Sequence, residues 1–479
     1  MGMALCLGLL AGWSSALAAE VAVQQRGEVW VVEDERLEVR VDASAGALVV
    51  RDKACGYTWQ QPPRETPSAQ PRFRDVQVLP NGLSFEADFG ATKGRPNTVR
   101  VSLTLVAGTG DVSIVADMAD RSVEVAPFPF LEPFLLDTPR GVLAIADYCN
   151  GHIYPLDTRP FPRTTFSASR LDMPWVGLCD LEKGFGYTLI LETSDDATVR
   201  CNVYKVRERE VVAPQILWQP SKGRFAYPRR LLYRFVAQGG YVALAKAYRA
   251  YAQKQGLLVT LAEKARRNPN LQRLFGAPDV WGNASLSFAR EAKSLGVEKM
   301  LIHGRTSPQD MKAINELGYL TSEYDNYTDI LPLEEGKEVD SHHDLLPDNA
   351  VLRADGQRMT AWLTWDKKTQ YMKRCPARWL PAAQGVIPKV LAQFPFLGRF
   401  IDVTTAEDLY ECYDERHPLT RSDKRRCGEE LLGYVRSLGL VVGGEHGIWW
   451  AVPHLDYIEG MMSCNAYFSW PAGHLIRPK

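Results

Sequence analysis

The sequence predicts a β plus α/β protein: a large sandwich of β-sheets followed by a parallel strand–helix domain of the (β/α)8 type. Two observations predict it. Up to about residue 235 the chain is a succession of short, β-branched, partly alternating segments; after about residue 275 strand-like and helix-like segments take turns. The length, 479 residues, leaves room for two or three domains of roughly 100–200 residues each.

The β part, residues 25–237, rests on segments such as Val29–Val32, Leu37–Val41 and Leu48–Val50, separated by turn formers such as Asp42–Gly46. The rhythm continues through Val99–Val106, Val112–Val115, Val142–Ile145, Tyr187–Leu191 and Leu231–Phe235, with no convincing helix between. At Gly239-Gly240 the texture changes. Tyr241, Leu244, Ala245, Tyr248, Tyr251 and Ala252 fall at helical spacing, opposite Lys246, Arg249 and Lys254. Residues 238–274 are therefore expected to be a helical linker.

Residues 275–479 read as strand–helix units. Strands are expected at Ala277–Trp281, Glu298–His303, Tyr319–Tyr324, Leu397–Val403 and Leu440–Gly444. Helices are expected at Leu286–Leu295, Ser307–Leu317, Trp379–Leu391 and Asp423–Leu438. An insertion from Thr328 to Cys375, holding Trp362, Trp365 and Tyr371, is expected to form a hairpin over one rim. About five units are countable where a barrel takes eight, so the reading is of a barrel lacking its last units.

Residues 1–19 read as a signal peptide, an apolar stretch ending in Ser15-Ala16-Leu17-Ala18-Ala19, which predicts export to a periplasm or the exterior. No later stretch reaches the roughly 18 apolar residues of a spanning helix. Lys plus Arg number 56 against 57 Asp plus Glu, net -1. That balance removes the electrostatic case for a nucleic acid or an anionic membrane as partner. After Cys6, the cysteines (55, 149, 179, 201, 375, 412, 427 and 464) are scattered without a C-x-x-C pair. That spacing argues against a zinc ribbon, though Cys412 and Cys427 could close a short loop.

Chemistry is expected where strands end. Phe400-Ile401-Asp402-Val403 sets an acid at the carboxyl end of one strand, and Gly443-Gly444-Glu445-His446-Gly447 does so one unit later. The 43 residues between Asp402 and Glu445 accommodate a loop, a helix and a return strand. Adjacent parallel strands would then hold two carboxylates over one pocket, the arrangement glycoside hydrolysis needs. The plain structural alternative is a pair of caps or ion-pair partners. Glycines 443, 444 and 447 are read as permitting close approach of a ligand.

The run Phe400-Ile401-Asp402-Val403-Thr404-Thr405-Ala406, with Gly443-Gly444-Glu445-His446-Gly447, resembles glycoside hydrolase family 129 and its relative family 101. Asp172-Met173-Pro174-Trp175-Val176-Gly177, Leu48–Lys53 and Gly56-Tyr57-Thr58-Trp59 extend the resemblance over nearly the whole chain. It implies a galactose-mutarotase-like β-supersandwich followed by a barrel, and an α-N-acetylgalactosaminidase-like activity on a glycan or glycoconjugate. It further implies a retaining mechanism with Asp402 as nucleophile and Glu445 as acid/base. The runner-up is a catalytically inactive carbohydrate-binding protein descended from such a hydrolase.

Substrate contacts are expected from His303 and Arg305, from Asp325 and Tyr327, from Lys373 and Arg374, and from His446 and Trp449, each near a strand end or beside Glu445. Each has a plain alternative: rim structure, an exposed ion pair, or core for Trp449. No metal set is assigned. His342-His343-Asp344 lacks a second cluster at ligand spacing and reads as a solvated loop. The chemistry requires no cofactor, and calcium has no support in any spacing, oxygen-ligand sites leaving little trace outside EF-hands.

Overall fold

A computed structural model describes residues 20–64, 70–147, 150–364 and 366–459. The expected signal segment, Cys6, Cys149, Trp365 and Cys464 lie outside the described residues. No described helix is long and apolar enough to cross a membrane.

The β half forms three antiparallel sheets. Five strands from Ala22 to Gln60 make a meander. A nine-stranded sheet is ordered 150–155, 141–147, 171–180, 186–191, 229–236, 111–117, 95–106, 82–92 and 74–79. Four strands, 128–129, 209–218, 197–206 and 165–167, form the third. Period-two alternation decides the faces: Leu37, Val39 and Val41 are buried, while Glu38 and Arg40 between them point outward. The inward sets of all three sheets, with Trp59, Phe89, Phe130, Tyr187 and Trp218, pack into one apolar core.

The nine-stranded sheet is buried on both faces at its centre. Leu143, Ile145, Tyr187 and Leu189 face that core; Val142, Ala144, Trp175, Ile190 and Leu232 face helix α1 (Gly240–Lys254) through Leu244 and Tyr248. Gly177, in the Asp172–Gly177 run, is required by this packing. A Cβ there would lie 2.5 Å from the Tyr187 carbonyl and 2.7 Å from Leu244 Cδ1.

The second half is built on a six-stranded, all-parallel sheet in sequence order: Asp279–Val280, Leu301–His303, Leu320–Asp325, Gly398–Ile401, Val441–Gly444 and Tyr457–Ile458. The sixth strand was not legible in the sequence because two residues carry no periodicity. Helices α3 (Leu286–Ser294), α4 (Pro308–Glu316), α5 (Trp379–Leu391) and α6 (Arg421–Ser437) follow the expected positions. Helix α6 starts two residues earlier than expected, because Thr420 and Asp423 form a capping box that puts Asp423 in the third helical position. One sheet face packs on helices: Ile302 with the α3/α4 side chains, Ile401 and Val442 with those of α5 and α6. On the other face Leu301, Leu320 and Val441 rest on Leu271 and on Ala265 of helix α2 (Leu261–Arg267).

The insertion forms the expected hairpin, Thr360–Leu363 against Gln370–Lys373. Strands Asp329–Pro332 and His343–Asp344 widen it to four. Trp362 stacks on Tyr371 with centroids 4.2 Å apart. The His342–Asp344 run is not a solvated loop: Asp344 is 1% exposed and pairs with Arg374.

Charged contacts join the halves. Arg421 reaches Asp196 at 2.6 Å, Arg425 reaches Asp195 at 3.1 Å, and Ser422 donates to Asp195 at 2.7 Å, all from the first turn and a half of α6. Lys222 of the β half donates to Glu411 through its backbone N–H at 2.6 Å and to the Cys412 carbonyl through Nζ at 2.7 Å.

Candidate active site

The alternation that sorts the sheet faces also sorts the expected site residues. Along Leu320–Asp325, residues 320, 322 and 324 share the face away from α3–α6, and 321, 323 and 325 share the helix side. Tyr324 thus stands beside Phe400 and Trp281, with ring centroids 6.0 and 6.1 Å away. Its hydroxyl donates to Asp402 Oδ2 at 2.6 Å.

Asp402 follows the strand Gly398–Ile401 and donates its backbone N–H to the Asp325 carbonyl at 2.8 Å. The next residue, Val403, has φ +60°, a left-handed conformation that a β-branched side chain resists. Such strain, about 1–3 kcal/mol, persists where surrounding structure imposes it. Here it turns the Val403 N–H toward both carboxyl groups, Asp402 and Glu445.

The Asp402 and Glu445 carboxyls, at the ends of adjacent strands, are close enough to shift each other's proton affinity. Burial raises the Asp402 carboxyl above its ordinary value, against the Tyr324 hydroxyl and the Val403 amide, which lower it. Burial, and then the charge of Asp402, pushes Glu445 up to about 7. Two neighbouring carboxyls cannot both ionise readily, and Glu445 is the one pushed far enough to keep a proton up to about neutrality. His446 stays neutral: burial, and then the charge of Arg170 from the β half, lowers it to about 4. Its Nε2 lies 3.7 Å from Glu445 Oε1. Glu459 adds a third acid, raised by burial and then by the charge of Asp279.

The other expected contacts divide. His303 is on the pocket face but only 2% exposed, covered by Trp281, whose ring stacks on it at 3.8 Å and 6°. His303 Nε2 lies 2.9 Å from Asp279 Oδ1, off the line a hydrogen bond needs, and Nδ1 has no hydrogen-bond partner. Arg305 pairs with Glu323, on the helix side of its strand, and lies over the Phe394 ring. Asp325 and Tyr327 also fall on the helix side. Asp325 pairs with buried Arg399 and accepts from the Tyr327 hydroxyl at 2.9 Å. Arg374 is fully buried, held by Asp344 at 2.6 Å. Lys373 bridges Asp329 at 2.5 Å and Glu407 at 2.7 Å, with Lys424 on the same Glu407 at 2.7 Å. Asp325, Tyr327, Lys373 and Arg374 therefore brace the walls beneath the carboxylates. Trp449 packs against the α5/α6 core with Arg425 over its ring at 5.4 Å.

Gly443 has a packing reason rather than the expected ligand one. A Cβ there would fall 2.1 Å from the Tyr457 ring. Two residues were missed: Tyr324, whose position in the strand alternation was available, and Trp281, 42% exposed beside the pair. Nothing in the sequence distinguished Trp281 from the other eleven tryptophans. Among the described residues, the one group of three or more His, Cys, Asp or Glu at metal-ligand distances lies elsewhere, at Cys375, Cys412 and His417.

Paired carboxylates at the ends of adjacent parallel strands, near an exposed aromatic ring, are an arrangement that glycoside hydrolysis can use. Residues 293–478 match the family described as glycosyl hydrolases related to GH101 family, GH129. The chain thus resembles glycoside hydrolase family 129, and its class is that of the glycosidases. No curated protein matches the sequence. Among solved structures, the chain is similar to the α-N-acetylgalactosaminidase NagBb of Bifidobacterium bifidum. Its ligand-free form is 19% identical, TM-score 0.70, over 88% of this chain and 78% of that one. Its GalNAc complex gives 18%, 0.72, 91% and 78%, and its Gal-NHAc-DNJ complex 18%, 0.71, 91% and 77%. At such identity the likeness is one of fold.

Proposed function

We propose that the protein is an exported, retaining α-glycosidase of α-N-acetylgalactosaminidase type, with Asp402 as nucleophile and Glu445 as acid/base. The observation that carries this is the nearness of the two carboxyls at the ends of adjacent parallel strands, with burial and the charge of Asp402 pushing Glu445 up to about 7. That closeness favours the short carboxyl separation of a retaining enzyme, about 5–5.5 Å, over the roughly 6.5–9.5 Å of an inverting one. The β half is assigned as a galactose-mutarotase-like supersandwich, and the parallel sheet as part of a (β/α)8-type barrel.

In the first step an Asp402 carboxylate oxygen attacks the anomeric carbon. The bond to the glycosidic oxygen breaks, and Glu445 passes its proton to that oxygen. Tyr324 holds Oδ2 at 2.6 Å, which leaves Oδ1 to attack. In the second step Glu445 takes a proton from water, whose oxygen attacks the anomeric carbon and releases Asp402. Trp281 offers its exposed face to the apolar side of a sugar ring. The support from relatives is the name of the Bifidobacterium enzyme and its GalNAc complex.

The test is hydrolysis of an aryl α-N-acetylgalactosaminide followed by proton NMR. The first-formed sugar should be the α anomer, and Asp402→Asn and Glu445→Gln should each suppress its release. A β anomer first, or full activity in Asp402→Asn, overturns the mechanism.

A further inference from the structure

We infer that Cys375, Cys412 and His417 form a structural binding site for a thiophilic divalent cation of the zinc type, apart from the carboxylate pair and independent of its assignment. The Sγ and ring-nitrogen atoms of the three residues all lie within 4.8 Å of one another, and Cys412 Sγ is 3.3 Å from His417 Nδ1. Zinc with ligands about 2.0–2.3 Å away in a tetrahedron separates its donor atoms by roughly 3.3–3.8 Å, so only small shifts would seat the ion. Two sulfurs and an imidazole select a soft or borderline cation over calcium or magnesium.

A second observation points the same way. His417 Nε2 is 2.9 Å from the Asp348 carbonyl, which only accepts, so Nε2 carries the hydrogen and Nδ1 turns its lone pair toward the sulfurs. A metal-bound histidine is held in this manner by its outer partner. The Leu352 N–H donates to Cys412 Sγ at 3.4 Å, the kind of contact a thiolate ligand receives. Cys412 and Leu419 exchange backbone hydrogen bonds of 2.9 and 3.0 Å, which fixes the short loop presenting His417. The site is sealed: Cys375 and Cys412 are buried, among Val351, Leu419 and Tyr410, and Cys427 of α6 packs on the same cluster as the candidate fourth ligand.

The position gives the ion a task. Cys375 ends the insertion, whereas Cys412 and His417 belong to the segment running from Asp402 to α6. A bound cation would tie the loop behind the candidate nucleophile to the rim hairpin, and Lys222 already holds that loop to the β half at Cys412.

The test uses the full chain, purified without chelator and assayed for metal by mass spectrometry. About one zinc per chain is expected. After metal removal, cobalt(II) should restore one equivalent with the intense absorption of thiolate-ligated tetrahedral cobalt. Cys412→Ser and His417→Gln should weaken zinc binding by on the order of 100-fold, and Cys55→Ser should leave it unchanged. Because the cobalt spectrum is read on the unaltered chain, a variant that fails to fold does not decide the matter. Absence of zinc together with an octahedral cobalt spectrum overturns the site. So does peptide mapping that finds Cys375 and Cys412 joined in a disulfide.

Discussion

The two halves bury charge in different ways. In the β half the interior is a continuous apolar core, and its most deeply buried ion pair, Arg229 with Asp196, sits where that half meets α6. In the parallel half the strands are two to six residues long, and the sheet face turned from the helices carries Tyr324, His303 and, at the strand ends, Asp402 and Glu445. Long alternating strands complete a core on their own. Short parallel strands leave their carboxyl ends to loops, where a titratable side chain is partly desolvated yet reachable. The Asp195 and Asp196 ion pairs hold the halves together, whereas the strand-end carboxyls Asp402 and Glu445 have raised proton affinities.

Predictions that break this contrast run from large effects to small. Asp402→Asn should lower kcat/KM by on the order of 10⁴-fold or more, measured on an aryl α-glycoside. It should not lower the melting temperature at neutral pH, because a carboxyl whose folded pKa is raised destabilises the ionised folded state. A large loss of stability would mean that Asp402 is structural, like Asp196. Asp196→Ala should do the reverse. It strips buried Arg229 of its ion pair and Arg421 of its anchor, which costs about 3–5 kcal/mol by urea unfolding, with activity retained in the folded fraction.

The pH profile sharpens the comparison. Glu445 must be protonated to act as acid, so kcat/KM should fall about tenfold per pH unit above about 7. A profile flat to pH 9 would remove Glu445 from that role. The smallest effect belongs to Trp281→Ala, about fivefold in KM with kcat altered less, as expected for roughly 1 kcal/mol of ring stacking. An unchanged KM would mean that Trp281 only covers His303.

Much of the scaffold was legible. The alternating β segments, the helix after Gly239-Gly240 and helix α5 at Trp379–Leu391 stand where periodicity put them. The carboxylate pair was legible too, since an acid just past an apolar strand occurs at both Asp402 and Glu445. The expected sugar contacts fared less well. Asp325 and Tyr327 were read from nearness to a strand end, but the side of the sheet depends on register, and a one-residue difference exchanges pocket for core. Lys373 and Arg374, expected as sugar contacts with an exposed ion pair as the alternative, are internal because Asp329, Glu407 and Asp344 meet them from distant parts of the chain.

By itself, the sequence determined most of the longer strands and helices and which strands end in an acid, because both follow from local periodicity and chain-adjacent residues. The tertiary structure decided what those acids face. It set Tyr324 on Asp402, brought Glu445 against it, and gathered Cys375, Cys412 and His417 from two segments into one buried cluster. Such meetings depend on sheet register and loop closure over many residues, and proton affinity depends on the burial and charge they create.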